Sequence, residues 1–260
     1  MSEAGSSPEP CLWIVVPCYN EEQVLPVTIQ RIAGLMGQMM AEGLIAPDSR
    51  AVYVDDCSAD GTWAVISRAA ASPLNGGLRL AENSGHQNAL MAGMETAAGT
   101  AGVDAVVTID ADLQDDISAI PRMVSLYRQG NDVVYGVRSD RTADTLMKRL
   151  TAHAFYRVMS WLGAPIIHDH ADCRLMSSRA IRRLSCYNGR RLFLRGIIPQ
   201  MGFPSAQVSY SRLKREAGET KYTLWRMLKL AADGIASVYT GKFGDAPAAI
   251  KRYDIVETII

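Results

Sequence analysis

Short apolar runs alternate with helix-like stretches through the first half of the chain, and this alternation constrains the fold more than any other feature. The runs that predict strands cover residues 12–17, 51–56, 77–82, 105–110 and 132–137, and the helix-like stretches cover 21–41, 61–72, 86–98 and 117–129. Strands separated by helices at this spacing form βαβ units, whose strands run parallel and are covered by helices on both faces. The pattern therefore predicts an α/β fold with a mostly parallel central sheet and flanking helices.

The second half of the chain is less regular. It contains a helical stretch at 143–162, a mixed part at 165–210 and an amphipathic helix at 222–239. No window holds the ~18 consecutive apolar residues of a membrane-spanning helix, so none is predicted. The predicted division is a polar, disordered tail at 1–10, a main domain at 11–215, and a C-terminal amphipathic helix and tail at 216–260.

Composition limits the partners that this chain can have. The formal net charge is +0, so no overall field attracts nucleic acid and any basic site must be local. The five cysteines form no CxxC pair and are odd in number, which is typical of reduced thiols in a cytosolic protein. The N-terminus does not resemble a signal peptide, and we therefore expect a cytoplasmic protein without disulfides.

A polar cluster follows each of the first four predicted strands. The clusters read "PCYNEE", "DDCSADG", "ENSGHQ" and "DADLQDD". One such cluster is ordinary for a solvated loop, but ligands of open parallel sheets bind at the carboxyl ends of the strands, where all four would meet. The sequence therefore predicts a functional crevice at this edge of the sheet.

Asp110 and Asp112 follow an apolar run and lie one residue apart, so in an extended segment both carboxylates point to the same side. Two such carboxylates repel unless a cation neutralises them, and Mg²⁺ or Mn²⁺ is typically held by one or two carboxylates plus substrate phosphates. Gln114 continues the same parity and adds a carbonyl or water contact. Asp115 and Asp116 instead fit acids at the start of the next helix.

The chain contains no glycine-rich phosphate loop of the P-loop or GxGxxG kind, which disfavours kinases and dehydrogenases. A metal-bound diphosphate without such a loop is typical of a nucleotide-sugar, whose leaving diphosphate the cation neutralises. Asp55 and Asp56 are candidate acceptors for a base or ribose, Tyr19 for stacking on the base, and Glu21 for the ribose hydroxyls.

Basic residues cluster after the fifth predicted strand and later, although the chain is neutral overall. They are Arg138, Arg141, Lys148, Arg149, Arg195, Arg212, Lys214, Arg215 and Lys221. Isolated arginines are usually solvated surface residues, but several beside the acidic loop or near the apolar stretch at 193–203 indicate a local anion site.

A series of segments in a fixed order resembles a known family. The segments are "VVPCYNEEQVLP", "DDCSADGT", "NSGHQNALMAGMETA", "DADLQD", "DVVYGVRSDR", "DCRLMSS", "FLRGIIPQMGF" and "YSRLKREAGETKYTLWRMLKLAADGI". In these segments the chain resembles the family 2 inverting glycosyltransferases, and among them the polyprenyl-phosphate glycosyltransferases of the dolichol-phosphate mannose synthase and bactoprenol glucosyltransferase type. The order of "DADLQD", "GHQ" and "AGETKY" is specific, whereas a lone DxD is not.

The resemblance implies a GT-A fold and a UDP- or GDP-sugar donor. It implies that Asp110, Asp112 and Gln114 hold Mg²⁺ or Mn²⁺. The donor would contact Pro17, Tyr19, Glu21, Asp55, Asp56, His86, Gln87, Asp110, Arg212, Arg215 and Lys221. The acceptor phosphate would contact Arg138, Arg149 and Arg195, with Asp112 and Asp172 as the catalytic carboxylates. Cys57, Glu82, Ala171 and Cys173 depart from the family pattern.

Asp172 has an expected role that follows from the acceptor. A phosphate acceptor is already anionic at pH 7, so no strong general base is needed, and we expect Asp172 to orient or polarise rather than abstract a proton. The resemblance thus predicts metal-dependent inverting transfer to an undecaprenyl or dolichyl phosphate in the cell envelope. The alternatives are the same fold acting on a soluble small-molecule acceptor, and a non-enzymatic sugar-nucleotide sensor.

A lipid acceptor would place the protein in the cytoplasm, peripherally on the inner face of the cytoplasmic membrane. The predicted helix at 222–239 has an aliphatic face flanked by cations, which fits either an interfacial helix or one that packs against the main domain. A homo-oligomer is compatible with the sequence.

Overall fold

The computed structural model describes residues 8–112, 114–138, 170–188, 192–211, 243–245, 247 and 252–260. The strands in these ranges are β1 (Leu12–Cys18), β2 (Arg50–Asp55), β3 (Asn75–Leu80), β4 (Ala105–Thr108), β5 (Val133–Arg138), β6 (His170–Ser177), β7 (Ser205–Tyr210) and β8 (Ile255–Ile259). The α-helices are α1 (Leu25–Ala41), α2 (Thr62–Ala69), α3 (His86–Gly99), α4 (Ile120–Arg128), α5 (Ser178–Ser185) and α6 (Leu194–Ile197), with 3₁₀ turns at Ile117–Ala119 and Ile198–Met201.

The strands form one eight-stranded sheet in the order β7-β5-β6-β4-β1-β2-β3-β8. β1 pairs in parallel with β2 and β4, β2 with β3, and β5 with β7. β6 lies antiparallel between β4 and β5, and β8 lies antiparallel to β3 at the edge. The predicted α/β fold with a mostly parallel central sheet and flanking helices is confirmed.

Helices cover the sheet on both faces because the central strands are apolar on both sides. Every residue of β1 is buried. Packing α1, α2 and α4 on one face and α3, α5 and α6 on the other gives two apolar cores. Helix α3 lies so close to β1 that a Cβ added at Gly93 would come within 2.4 Å of the Val15 side chain. This close packing holds α3 against β1, and the helix begins at His86.

Three strands were not predicted. β6 and β7 lie in the part at 165–210 that we described as mixed, and β8 lies in the stretch assigned to the C-terminal tail. β6 carries both Asp172 and Arg174, and charged residues are uncommon in strands, so periodicity did not indicate it. The third strand begins at Asn75 rather than at residue 77.

Two predicted helices, at 143–162 and 222–239, lie outside the described residues. The predicted domain boundaries after residues 10 and 215 stay predictions. Of the helices that the structure describes, none is long and apolar enough to cross a membrane.

Candidate active site

The loops that follow β1 and β2 are joined at the carboxyl edge of the sheet. The Asn20 N–H donates to Oγ of Ser58 at 2.9 Å, and Oδ1 of Asn20 accepts from the Ala59 N–H at 2.9 Å. Asn20 and Cys57 both adopt left-handed backbone conformations, with φ of 57° and 58°. Tyr19, next to this junction, is 48% exposed and is accessible to a stacking partner.

Asp55 and Asp56, at the end of β2, are buried and hold neighbouring loops. Asp56 accepts hydrogen bonds from the N–H groups of Ser84 at 2.7 Å and Gly85 at 2.9 Å, which fixes the loop before α3. Burial raises the pKa of Asp56, although these two hydrogen bonds act in the opposite direction. Asp55 accepts from the Ser58 N–H at 3.1 Å through Oδ1, while no described residue donates a hydrogen bond to its Oδ2. Asp55 is therefore the member of the pair with an oxygen that accepts no hydrogen bond from the described residues, and this oxygen lies 3.5 Å from Nε of Arg79.

His86 brings the ends of β4 and β6 together. Its Nε2 lies 3.6 Å from Oδ1 of Asp110 and 3.5 Å from Oδ2 of Asp172. Burial opposes protonation of the imidazole, but the hydrogen bond to Asp172 and the charges of both carboxylates outweigh it, so the pKa of His86 is raised. Two residues far apart in sequence thus meet at one histidine.

Asp172 is held by two arginines. Arg174 donates from Nη2 to Oδ1 of Asp172 at 2.5 Å. Arg195 donates from Nε to Oδ1 at 3.3 Å and from Nη2 to Oδ2 at 3.0 Å. Burial by itself would raise the pKa of Asp172, but the hydrogen bond with His86 and the charges of Arg195 and Arg174 hold it well below its usual range. Asp172 is therefore a stable anion that fixes its neighbours, which fits the predicted orienting role.

Arg174 was not among the predicted site residues. It is 1% exposed, and an arginine is almost never fully buried unless it is paired. The sequence signal that could have indicated a buried ion pair is a charged residue inside the strand-like "CRLM".

The acidic loop after β4 contains a buried carboxylate oxygen, Oδ1 of Asp110, that accepts no hydrogen bond from the described residues and has the His86 imidazole 3.6 Å away. The Asp110 side chain as a whole is 35% exposed. Burial raises the pKa of Asp110 to about 6, with His86 acting in the opposite direction and the nearby carboxylates adding to the rise. Asp112 accepts from the Gln114 N–H at 3.1 Å through Oδ1, which closes a turn of the loop.

The described residues contain no group of three or more His, Cys, Asp or Glu side chains that could hold a metal ion on their own. The unsatisfied Oδ1 of Asp110 beside Asp112 nonetheless suits a cation that takes one or two carboxylates and draws its other ligands from substrate phosphates. The residues present therefore fit such an ion only together with a bound diphosphate.

Asp115 and Asp116 have different roles, although both were expected to cap the next helix. Asp116 does so, since its Oδ1 accepts from the Ser118 N–H at 2.9 Å. Asp115 does not: its Oδ1 accepts from Nε of Arg138 at 3.1 Å and from Nη2 at 3.0 Å. The expected capping role of Asp115 is wrong because β5 brings a guanidinium against a carboxylate that is 3% exposed. Arg138 is thereby tied to the acidic loop.

The other predicted site residues have these places in the structure. Pro17 is buried in β1, opposite Val54 of β2. The Glu21 N–H donates to Oγ1 of Thr62 at 2.8 Å. Oε1 of Gln87 accepts from the Leu194 N–H at 3.2 Å and so fixes the start of α6. Arg149, Arg212, Arg215 and Lys221 lie outside the described residues.

Residues 13–185 match the family described as Glycosyl transferase family 2. The chain is 48% identical over 230 residues to the uncharacterized glycosyltransferase YkoT of Bacillus subtilis. This match covers 88% of this chain and 68% of that protein. It is 35% identical over 229 residues to a prophage bactoprenol glucosyl transferase homolog of Escherichia coli. This second match covers 87% of this chain and 72% of that protein.

Among solved structures, the fold is similar to glucosyl-3-phosphoglycerate synthase of Mycobacterium tuberculosis, which was crystallised with Mn²⁺, UDP-glucose and phosphoglyceric acid. The TM-score is 0.59 at 17% sequence identity, and the match covers 89% of this chain and 79% of that one. At this level of identity the likeness concerns the fold.

Proposed function

Because the chain belongs to glycosyl transferase family 2, and is therefore a glycosyltransferase, we propose that it transfers a sugar with inversion from a nucleotide-diphosphate sugar to a polyprenyl phosphate. The fold is the GT-A fold that the resemblance implied. The observation that carries the proposal is the meeting of His86, Asp110 and Asp172 at the carboxyl edge of the sheet, where ligands of such folds bind.

A divalent cation, Mg²⁺ or Mn²⁺, fits the acidic loop of this site. Asp110 and Asp112 would hold it, with Gln114 contributing a carbonyl or water contact. When bound, the cation would neutralise the charge that develops on the leaving diphosphate. Oδ1 of Asp110 is buried and accepts no hydrogen bond from the described residues, with His86 3.6 Å away, and this supports the assignment because buried polar groups normally have hydrogen-bond partners.

The donor nucleotide would lie over the joined loops after β1 and β2. The exposed ring of Tyr19 offers a stacking surface, and Glu21 offers a carboxylate to the ribose. Oδ2 of Asp55 accepts no hydrogen bond from the described residues, although Nε of Arg79 lies 3.5 Å away, whereas both oxygens of Asp56 accept from the loop before α3. Of the two candidate acids we therefore assign Asp55 to the nucleotide and Asp56 to the shape of the pocket.

The acceptor phosphate would lie on the side of Arg138 and Arg195. A phosphate oxygen attacks the anomeric carbon as the bond to the diphosphate breaks on the opposite face, which inverts the configuration. The pKa of Asp172 is held well below its usual range, so Asp172 is a poor proton acceptor and serves to orient Arg195. This role suits an acceptor that arrives already ionised.

Organic extraction after a transfer assay tests the acceptor class. The protein is incubated with Mn²⁺, undecaprenyl phosphate and radiolabelled UDP-glucose or GDP-mannose, and a second series contains small phosphorylated acceptors instead. We expect label in the organic phase. Label only in an aqueous product would replace the lipid acceptor with the soluble one, and wild-type protein that transfers no label with any donor would contradict the transferase proposal.

Contact with the membrane would come from the predicted helix at 222–239, which lies outside the described residues. Its Trp225 and aliphatic positions would enter the lipid boundary, with Arg226 and Lys229 toward anionic headgroups. Flotation with anionic liposomes at low salt measures this contact. Trp225→Glu should abolish flotation and lower activity on a lipid acceptor, and an unchanged variant would assign the helix to packing.

A further inference from the structure

A line of contacts joins the last strand of the sheet to the loops that we assign to the donor nucleotide. Arg79 of β3 is at its centre. Its Nε lies 3.5 Å from Oδ2 of Asp55, and its Nη1 lies 3.0 Å from Oε1 of Glu257 in β8. The antiparallel register of the two strands places Arg79 directly opposite Glu257.

Trp63 of α2 contacts both members of the Arg79–Glu257 pair. The indole Nε1–H donates to Oε2 of Glu257 at 3.2 Å, and the guanidinium carbon of Arg79 lies 5.7 Å from the centre of the indole ring. Both oxygens of Glu257 are thus occupied, one by a cation and one by an N–H group. Arg79 is held against an aromatic face, which restricts its rotamers.

From Asp55 the contacts continue to the rim of the crevice. Asp55 accepts from the Ser58 N–H at 3.1 Å, and Oγ of Ser58 accepts from the Asn20 N–H at 2.9 Å. Tyr19, the exposed aromatic residue next to Asn20 in sequence, is the predicted stacking surface for the base. Each link is a direct contact, from Glu257 through Arg79, Asp55 and Ser58 to the backbone that carries Tyr19.

We propose that Arg79 and Glu257 are positioning residues for the donor nucleotide, with Arg79 fixing Asp55 and Glu257 fixing Arg79. The proposal rests on the proposed function, because it takes Tyr19 and Asp55 as nucleotide contacts. Asp55 is 0% exposed, and a buried carboxylate requires a counter-charge nearby to keep a defined position. Arg79 supplies that charge without a hydrogen bond to Oδ2, since no described residue makes one.

A purely stabilising ion pair would behave differently. The Arg79 and Glu257 side chains are 35% and 48% exposed, and pairs in contact with water contribute little to folding. Loss of Glu257 should therefore weaken nucleotide binding with little change in the melting temperature, whereas Arg79→Ala also removes the counter-charge of the buried Asp55 and should lower the melting temperature as well.

The test measures dissociation constants for UDP and GDP, each with MnCl₂, by titration calorimetry, together with melting temperatures and the kcat and donor KM of transfer. Arg79→Ala should weaken nucleoside diphosphate binding by roughly tenfold and raise donor KM to match, with kcat at saturating donor within about twofold. Glu257→Gln should weaken binding by about threefold. The double variant should be no worse than Arg79→Ala, because Glu257 acts through Arg79.

Arg79→Lys, which keeps the charge, should restore part of the affinity, and it also covers the case in which Arg79→Ala fails to fold. The matched control is Arg183→Ala. Arg183 also stacks on an aromatic ring, 5.0 Å from the centre of Phe243, and also bonds to a late segment through the Gly244 carbonyl at 2.9 Å, but it lies on α5. This control should bind nucleoside diphosphates as the wild type does.

Two results overturn the inference, and they are distinguishable. If wild-type protein binds nucleoside diphosphate and Arg79→Ala binds it equally well, or loses kcat at unchanged donor KM, the positioning role is wrong and the proposed function stands. If the wild type binds neither UDP nor GDP, both the proposed function and the positioning role fail.

Discussion

Asp132, at the amino edge of the sheet, and Asp110, at the carboxyl edge, differ in how far the described residues satisfy their carboxylates. At the amino ends of β4 and β5, a polar cavity of about 380 Å³ is lined by residues that include Asp104, Asp132, Ser177 and Arg179. There Asp132 accepts from Oγ of Ser177 at 2.7 Å and from both Nε and Nη2 of Arg179. At the carboxyl edge, Oδ1 of Asp110 and Oδ2 of Asp55 are buried without a hydrogen bond from any described residue.

The pKa shifts follow this difference. Burial would raise the pKa of Asp132, but its hydrogen bonds to Arg179 and Ser177 lower it below the usual value. For Asp110, burial prevails and the pKa rises to about 6. The hydrogen bonds of Asp132 indicate a structural ion pair, whereas a buried carboxylate oxygen that accepts no hydrogen bond, as in Asp110, suits a ligand. We therefore assign a structural role to the polar cavity at the amino end and propose that the chemistry takes place at the opposite edge.

Asp112→Asn should have the largest effect, because it removes a proposed metal ligand. We expect turnover to fall by roughly three orders of magnitude, since a Lewis acid contributes several kcal/mol to such a transition state, while the melting temperature stays near that of the wild type. Excess EDTA should act in the same way. Asp116→Asn is the matched control, because Asp116 caps the next turn and should retain activity. Full activity of Asp112→Asn would remove the metal from the proposal.

Asp172→Asn should come next, because it releases Arg195 and Arg174 from a shared carboxylate. A displaced phosphate-binding group costs on the order of a hundredfold in turnover. Steady-state kinetics with both substrates measures this loss. If the variant turns over normally and its acceptor KM is unchanged, Asp172 does not orient the acceptor site.

Arg138→Ala should raise the acceptor KM by about tenfold, equivalent to roughly 1.4 kcal/mol of binding, with little change in donor binding. Asp115→Ala should produce the same kinetic defect in weaker form, because Asp115 holds the Arg138 guanidinium. Initial rates measured over a range of acceptor concentrations at saturating donor give the acceptor KM of each variant. An acceptor KM that neither substitution changes would place the phosphate elsewhere.

Asp132→Asn should have the smallest effect on catalysis and sharpens the contrast between the two ends. We expect unchanged kinetics and a melting temperature lower by a few degrees at pH 7. The folded-state pKa of Asp132 is lowered, so its ion pair stabilises the protein above the unfolded-state pKa of about 3.9 and is lost as the pH falls through the lower folded-state value. The difference in melting temperature between variant and wild type should therefore shrink below about pH 4. A loss of activity in a folded Asp132→Asn protein would contradict the structural assignment.

The sequence indicated site residues that lie close together in the chain better than those whose partners are far away in sequence. Asp110 and Asp112 follow a buried strand at a spacing that can be read directly, and the four polar clusters follow strands that the alternation predicts. Asp172 could be assigned only through the family resemblance, because β6 was not recognised as a strand. Arg174 and Arg79 were not singled out, since each is an ordinary charged residue until its partner is known.

The sequence by itself determined the α/β class, the parallel strands at the centre of the sheet and the edge at which the acidic loop lies. These follow from periodicity and from the direction of successive strands, both of which are local properties. Only the tertiary structure decided that β6 runs antiparallel beside β4, so that Asp172 meets His86 and Asp110, and that β8 brings Glu257 to Arg79. Those contacts join residues far apart in the chain, and hydrogen-bond partners at that separation depend on how the strands are ordered, which no local pattern specifies.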